Sequence, residues 1–135
     1  MSKVNVAIIG YGYWGPNLVR NFNSSKDGQV VKVAELRKER LELVAKNYPT
    51  IQTTTSIDEI FSDNAIDAVV IATPVFTHYQ LAKKALEVGK HVLIEKPMTS
   101  SSQHAEDLID LASKKGKILM VDHTFLYTGA VQKIK

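Results

Sequence analysis

Five short aliphatic runs limit this chain more than any other feature. They are Val4–Ile9, Val30–Ala34, Ala68–Ala72, Val92–Ile94 and Ile118–Val121, each nearly continuous and rich in Val, Ile and Leu. A stretch of this kind keeps no face for water, so it reads as a strand covered on both sides. Between the runs lie segments with helical spacing: Leu18–Phe22, Leu41–Tyr48, Ile57–Phe61, Tyr79–Val88 and Ala105–Ala112. Strand and helix alternate from end to end, which predicts an α/β fold: a doubly wound parallel sheet with helices on both faces. Punctuation agrees. Gly89 and Gly116 stand where the fourth and fifth helices should close. Ser56 precedes Glu59 by three residues, the spacing of a capping box. Ser100–Ser102 reads as a helix start, and the terminal GAVQKIK as the opening of another helix. At 135 residues the pattern is one domain, large enough for a core without cross-links.

Composition excludes several function classes. There is no cysteine, so neither disulfides nor thiolate metal centres are available. The net charge of +3 is mild, and the lysines form no basic stripe interleaved with aromatics, so nucleic acid is not an expected partner. No apolar run is long enough to cross a bilayer. Met1-Ser2-Lys3 leads directly into the first strand without a signal-peptide core, and a cytoplasmic location is expected.

The first strand runs into Gly10-Tyr11-Gly12-Tyr13-Trp14-Gly15, a G-x-G-x-x-G spacing that opens a helix. Alone the spacing is weak, because glycines gather in turns for backbone reasons. Between a strand and a helix it makes a specific demand. Gly10 permits the tight turn, Gly12 lets the backbone approach a pyrophosphate, and Gly15 lets helix and strand pack closely. The helix N-terminus then offers unpaired N–H groups to phosphate. Pro16 sits in the first turn, where its missing N–H costs little. Glu35 follows the second strand, 20 residues after Gly15. A carboxylate there can accept hydrogen bonds from a ribose diol and repels a 2′-phosphate; otherwise it is a solvated strand-end acid. Arg37 is placed to pair with a 2′-phosphate, so NAD is expected and NADP stays possible. Tyr13 and Trp14 either cover the cofactor or pack on the protein.

A second block runs IATPVFTHYQLAKKALEVGKHVLIEKPM from Ile71. Ala72-Thr73-Pro74, Thr77-His78, the helix Ala82–Leu86 with Gly89-Lys90-His91-Val92, and Glu95-Lys96-Pro97 together closely resemble the cofactor-binding half of the Gfo/Idh/MocA oxidoreductases, the glucose–fructose oxidoreductase and inositol 2-dehydrogenase family. With the glycine loop, the resemblance covers essentially the whole chain. It implies a Rossmann domain over residues 1–135 that binds NAD(P), and a following substrate domain that these residues do not contain. It implies oxidation or reduction at a secondary alcohol of a sugar, nucleotide sugar or cyclic polyol, with Lys96 catalytic and in touch with both nicotinamide ribose and substrate. An oxidised nicotinamide nearby would disfavour the ammonium form, which suits a proton relay; the bland alternative is a surface lysine before a turn proline. Thr73, Pro74, Glu95 and Pro97 fall at strand ends, where open α/β sheets hold ligands, and Glu95 is expected to contact ribose. His78 either lines the nicotinamide pocket or only caps a helix, while His91 lies at the opposite end and is structural.

Asp122-His123 ends the last strand as an adjacent acid and imidazole, but neighbours on a strand point to opposite faces. The Leu126-Tyr127 that follows departs from the arginine–aromatic pair of many relatives. The stretch resembles more weakly a branch acting on nucleotide-linked sugars, and the role of both residues stays open. Two other readings remain. One is a non-catalytic nucleotide-sensing or interaction module. The other is a methyl donor-binding fold, against which Glu95-Lys96-Pro97 argues. Trp14, Phe76, Phe125, Leu126 and Tyr127 are candidates for uncovered apolar surface, from which self-association into a homo-oligomer is expected.

Overall fold

The computed structural model describes residues 2–123 and 129–134. Six strands, β1 (Val4–Ile9), β2 (Gly28–Ala34), β3 (Gln52–Thr54), β4 (Ala68–Ile71), β5 (His91–Glu95) and β6 (Leu119–Asp122), form one sheet in the order β3-β2-β1-β4-β5-β6. Every pairing is parallel. The chain adds β2 and β3 on one side of β1, then crosses to add β4, β5 and β6 on the other. The switch point therefore lies between β1 and β4.

The helices are α1 (Gly15–Ser24), α2 (Lys38–Asn47), α3 (Asp58–Phe61), α4 (His78–Glu87), α5 (Ser102–Lys115) and α6 (Gly129–Ile134), with a 3₁₀ turn at Val75–Thr77. The sheet sorts its side chains by strand period. On β1, Val6 and Ile8 pack with Leu18 and Val19 of α1 and with Leu41 and Val44 of α2. Ala7 and Ile9 face the other way, toward Ala82, Ala85 and Leu86 of α4 and Leu108 of α5. The two apolar faces of one strand thus recruit two different helix layers. Pairing between β1 and β2 shifts after Val6, which pairs with Val30, so that Ala7 pairs with Lys32. This bulge gives β2 one extra residue, Val31, and lets Val30 and Val33, three apart, enter the same core. Burying a Val, Leu or Ile fully is worth roughly 1.5–3 kcal/mol, and Ile8, Val19, Val33, Val44, Val69, Ile71, Leu86, Ile94 and Leu108 are all essentially inaccessible.

Helix ends follow the sequence in part. Gly89 and Gly116 have positive φ (84° and 63°) after α4 and at the end of α5, as expected of closing glycines. Ser101 Oγ accepts the N–H of His104 and caps α5. The capping box at Ser56 is not formed. The Thr54 hydroxyl takes the Ser56 N–H in a tight turn, α3 begins two residues later, and no side chain caps it.

The N-terminal edge of the sheet is closed by hydrogen bonds. Asn5 N–H donates to Asp67 Oδ2 at 2.8 Å, and Asn5 Nδ2 to the Ala65 carbonyl at 2.9 Å. Lys90, almost wholly buried, donates to the carbonyls of Asp63 (2.7 Å) and Ile66 (2.9 Å). Lys32 pairs with Asp63 at 3.1 Å. His91 Nδ1 accepts the Ile118 N–H, the structural place expected of that residue.

Candidate functional site at the carboxyl ends of the strands

The glycine loop leaves β1 at the switch point. Gly10 has φ 99°, and a Cβ there would run into the Ala72 carbonyl at the end of β4. At Gly15 a Cβ would stand 3.0 Å from the Tyr11 ring and 3.1 Å from the Gly10 carbonyl, so the start of α1 seats directly on the loop. Gly12 differs from both. Its φ is not positive, and a Cβ would meet only the mobile end of Arg37, at 3.4 Å. Its constraint is on the open side. No described residue accepts from the N–H groups of Gly12, Tyr13, Trp14 or Gly15, and α1 has no side-chain cap. Four backbone donors without acceptors thus stand at the positive end of the α1 dipole, a cradle that fits a pyrophosphate.

Two residues that the sequence did not single out shape this cradle. Arg40 of α2 donates from Nε to the Tyr11 carbonyl (2.8 Å) and from Nη2 to the Gly12 carbonyl (3.0 Å). This occupies the loop's acceptors and leaves its donors free. Tyr11 is buried, with the Arg40 guanidinium 5.5 Å from its ring centre. Both depend on contact between residues 28 or 29 positions apart, for which the local pattern carries no signal.

Glu35 closes the loop from the end of β2. Its Oε2 accepts the Tyr11 N–H at 2.7 Å, and its Oε1 accepts from the backbone and Nε of Arg37 at 3.2 and 3.1 Å. Burial pushes its carboxyl up, but the bonds from Arg37 and Tyr11 outweigh this and hold it below the usual range. Arg37, half exposed, is paired with Glu35. Tyr13 is almost fully exposed. Trp14 is half-buried and packs against the α1 side of the core, and the two rings lie 6.5 Å apart. Leu36 and Phe76 are also exposed, at 83% and 77%, on the same edge.

The second block forms the opposite wall. Thr77 donates its hydroxyl to the Pro74 carbonyl (2.7 Å), so the 2.6 Å contact between Thr73 and Thr77 takes its proton from Thr73. His78 is 1% exposed. Its Nε2 lies 2.8 Å from the Thr73 carbonyl, and its Nδ1 lies 3.0 and 3.2 Å from those of Pro97 and Met98. The ring does not line a pocket. It ties the loop after β4 to the loop after β5 and reaches a ligand only through them. Lys96 and Pro97, joined by a cis peptide, are exposed on the second loop.

Glu95 ends β5 directly beside Asp122 of β6. Burial, a hydrogen bond that the protonated Glu95 carboxyl donates to Asp122 and the Asp122 charge push the Glu95 carboxyl up to about 8, against an opposing pull from Lys96. The strand stops at Asp122, and the His123 N–H turns back to Val121. His123 therefore lies past the strand, where the strand's alternation no longer separates it from Asp122. Phe125, Leu126 and Tyr127 lie outside the described residues. Among the described residues no group of three or more His, Asp or Glu side chains could hold a metal ion, and no helix is long and apolar enough to cross a membrane.

Gly10, Gly12, Gly15, Glu35, Thr73, Pro74, Glu95, Lys96 and Pro97 thus gather along one end of the sheet, while His78 lies beneath it. Comparison with known proteins identifies the fold and the family. Residues 4–123 match the family described as "Oxidoreductase family, NAD-binding Rossmann fold", Gfo/Idh/MocA. The chain is similar to the oxidoreductase YdgJ of Escherichia coli (strain K12), with 37% identity over 90% of this chain and 35% of the relative. It is also similar to the NADP(+)-dependent scyllo-inositol 2-dehydrogenase IolW of Bacillus subtilis (strain 168), with 32% identity over 91% of this chain and 34% of the relative. Biliverdin reductase from Synechocystis sp. PCC 6803, solved with biliverdin and NADP+, superposes with a TM-score of 0.90 at 31% identity, over 97% of this chain and 41% of that one. The chain spans about a third of the length of the curated relatives it matches. A parallel sheet with its glycine loop at the switch point, the E-K-P turn two strands away and this likeness along nearly the whole chain place the protein in the Gfo/Idh/MocA oxidoreductase family, as an NAD-binding Rossmann domain.

Proposed function

We propose that this domain is the cofactor-binding half of an oxidoreductase that interconverts a secondary alcohol and a ketone on a sugar, nucleotide sugar or cyclic polyol. The observation that carries the reading is Lys96: an exposed ammonium on the turn after β5, fixed through His78 to the loop after β4. A bound nicotinamide supplies the hydride acceptor. The chain's own residues do the rest. The free N–H groups of the glycine loop hold the pyrophosphate, and Gly12 keeps that approach clear. Glu35 accepts the ribose hydroxyls. Its Oε1 must first release Arg37, whose exposed guanidinium swings away at little cost, and the carboxylate then disfavours a 2′-phosphate; NAD is the cofactor of this reading. Lys96 takes the alcohol proton, or returns it in the reverse direction. Thr73, Pro74 and Pro97 line the wall from which Lys96 acts, with Tyr13 and Phe76 facing outward.

Hydride transfer needs the reacting atoms held within about 3–3.5 Å, and one domain offers one wall. A following domain holding the substrate completes the site, and its docking covers the exposed aromatic edge. The test is a panel of sugars, nucleotide sugars and cyclic polyols, read at the NADH absorbance, with the two-domain protein and with residues 1–135. Turnover is expected only from the former. Lys96→Ala in it should lower turnover by roughly a hundredfold, the scale of a lost acid–base group, with the melting temperature unchanged. Turnover on the order of 1 s⁻¹ by residues 1–135 would overturn the two-domain reading. A large stability loss with normal turnover per folded molecule would make Lys96 structural.

A further inference from the structure

The Glu95–Asp122 pair is unexplained by hydride transfer. The two residues are register partners on adjacent parallel strands, so their side chains leave the sheet on the same face and meet. Glu95 Oε1 is shut off from solvent and has no donor within reach. A buried carboxylate oxygen without a donor is costly, and two carboxylates side by side repel. One proton relieves both penalties, because it turns one carboxylate into a donor and removes a charge.

The surrounding groups leave the pair to itself. Thr73, at the neighbouring end of β4, is uncharged and hydrogen-bonded to Thr77. His78 of α4 directs both ring nitrogens at the carbonyls of Thr73, Pro97 and Met98. His104, in the first turn of α5, is stacked on Tyr79 with ring centres 3.9 Å apart. His123 follows Asp122 and is exposed. Among the described residues Lys96 is the one cation that acts on Glu95, and it favours the ionised form. Burial and Asp122 outweigh it.

We propose that Glu95 and Asp122 share one proton in the cofactor-free protein, and that this proton leaves to solvent when an oxidised nicotinamide binds, but stays when the reduced form binds. The step balances simply: Glu95–COOH becomes Glu95–COO⁻, and the buffer takes the proton. The cause is charge. The oxidised ring is cationic and stabilises a carboxylate at the strand ends, whereas the reduced ring is neutral. The coupling rests on the cofactor reading above; the shared proton of the free protein does not. Its consequence for the site is that Lys96 faces one carboxylate charge at the ends of β5 and β6 until the oxidised cofactor arrives, and two afterwards.

Two measurements on the full chain test this. The first is infrared difference spectroscopy of the cofactor-free protein across a pH titration. A protonated-carboxyl band should be present at about pH 7, fade toward about pH 9, and be missing from Glu95→Gln and Asp122→Asn. Absence of the band in the unmodified protein at neutral pH overturns the pair. The second is calorimetric titration with NAD+ and with NADH, in two buffers of different ionisation enthalpy at about pH 7. Close to one proton should be released with NAD+ and none with NADH, and the NAD+ release should vanish at about pH 9.5 and in Glu95→Gln. Equal proton counts for the two forms, or release that persists in Glu95→Gln, overturns the coupling while leaving the cofactor site intact. Failure of either form to bind overturns the cofactor reading and the coupling with it; the infrared result still decides the pair.

Discussion

The two ends of the sheet carry similar residues and treat them in opposite ways. At the amino end, the charges and amides of Asn5, Lys32, Asp63, Asp67 and Lys90 find partners within the chain. At the carboxyl end, four backbone donors of the glycine loop have none among the described residues, one carboxyl oxygen is buried with no donor among them, and Tyr13, Leu36 and Phe76 stand out in solvent. An unsatisfied buried polar group costs about 1–3 kcal/mol, so the carboxyl end is held together less well than it could be. The difference teaches how an α/β domain divides its tasks: one edge of the sheet is finished for stability, and the other is left open for a ligand to finish.

The comparison breaks if substitutions at the two ends have the same kind of effect. Lys90→Met should produce the largest change. It removes the donor for two buried carbonyls and is expected to cost about 3 kcal/mol, on the scale of hydrogen bonds to charged groups. Urea melts should show this loss, and the NAD affinity of the folded fraction should stay unchanged. Weakened binding without a stability loss would refute the division. Gly12→Ala should behave the other way. The added methyl fits the fold, because its near neighbour is a movable Arg37 tip. It stands in the way of phosphate, so calorimetry should show at least about a tenfold loss of NAD affinity, ~1.4 kcal/mol, with an unaltered melt. Glu35→Ser comes next. It frees Arg37 and should shift preference toward NADP, read as the ratio of the two dissociation constants. Tighter NADP binding by the unmodified protein would reverse the role given to this acid.

The smallest effect sharpens the carboxyl end itself, because its two glutamates titrate in opposite senses. Glu35 is held low, so its stabilising contribution is present above the ordinary carboxylate range and is lost as pH falls through its folded value. Glu95 is held high, at about 8, so its contribution is present below the ordinary range and is lost as pH rises toward about 8. Glu95→Gln should therefore leave the melting temperature nearly unchanged at about pH 5 and raise it at about pH 9. The gain should be about 1 kcal/mol, since solvent screens a partly exposed group. A parallel pair of stability–pH curves for the variant and the parent would remove Glu95 from this role.

Much of this was legible in the order of residues. Strands buried on both faces write themselves as continuous aliphatic runs, and the glycine spacing, together with Glu35 at the end of the following strand, marks the switch point. What was not legible depends on register and distance. Nothing near Arg40 announces that it holds the carbonyls of Tyr11 and Gly12, 28 and 29 residues earlier. Asp122 meets Glu95 only because β5 and β6 pair in one register. Ser56 had the right spacing for a cap, but the Thr54 hydroxyl, two residues earlier, takes its N–H. His78 was readable as a residue of interest but not as a tie, since its partners are backbone atoms and any side chain carries those.

That last property has a consequence for how the domain tolerates change. The atoms that the His78 ring nitrogens face at Thr73, Pro97 and Met98 are all backbone carbonyl oxygens, so the contacts of the ring with the two loops do not use the side chains at those positions. What the Thr73 and Met98 side chains do is a separate matter: the Thr73 hydroxyl bonds Thr77, and Met98 packs on the core. The imidazole cannot be exchanged so freely, because few side chains place two ring nitrogens on opposite loops at once. One histidine under the site thus joins two loops through atoms that every residue carries.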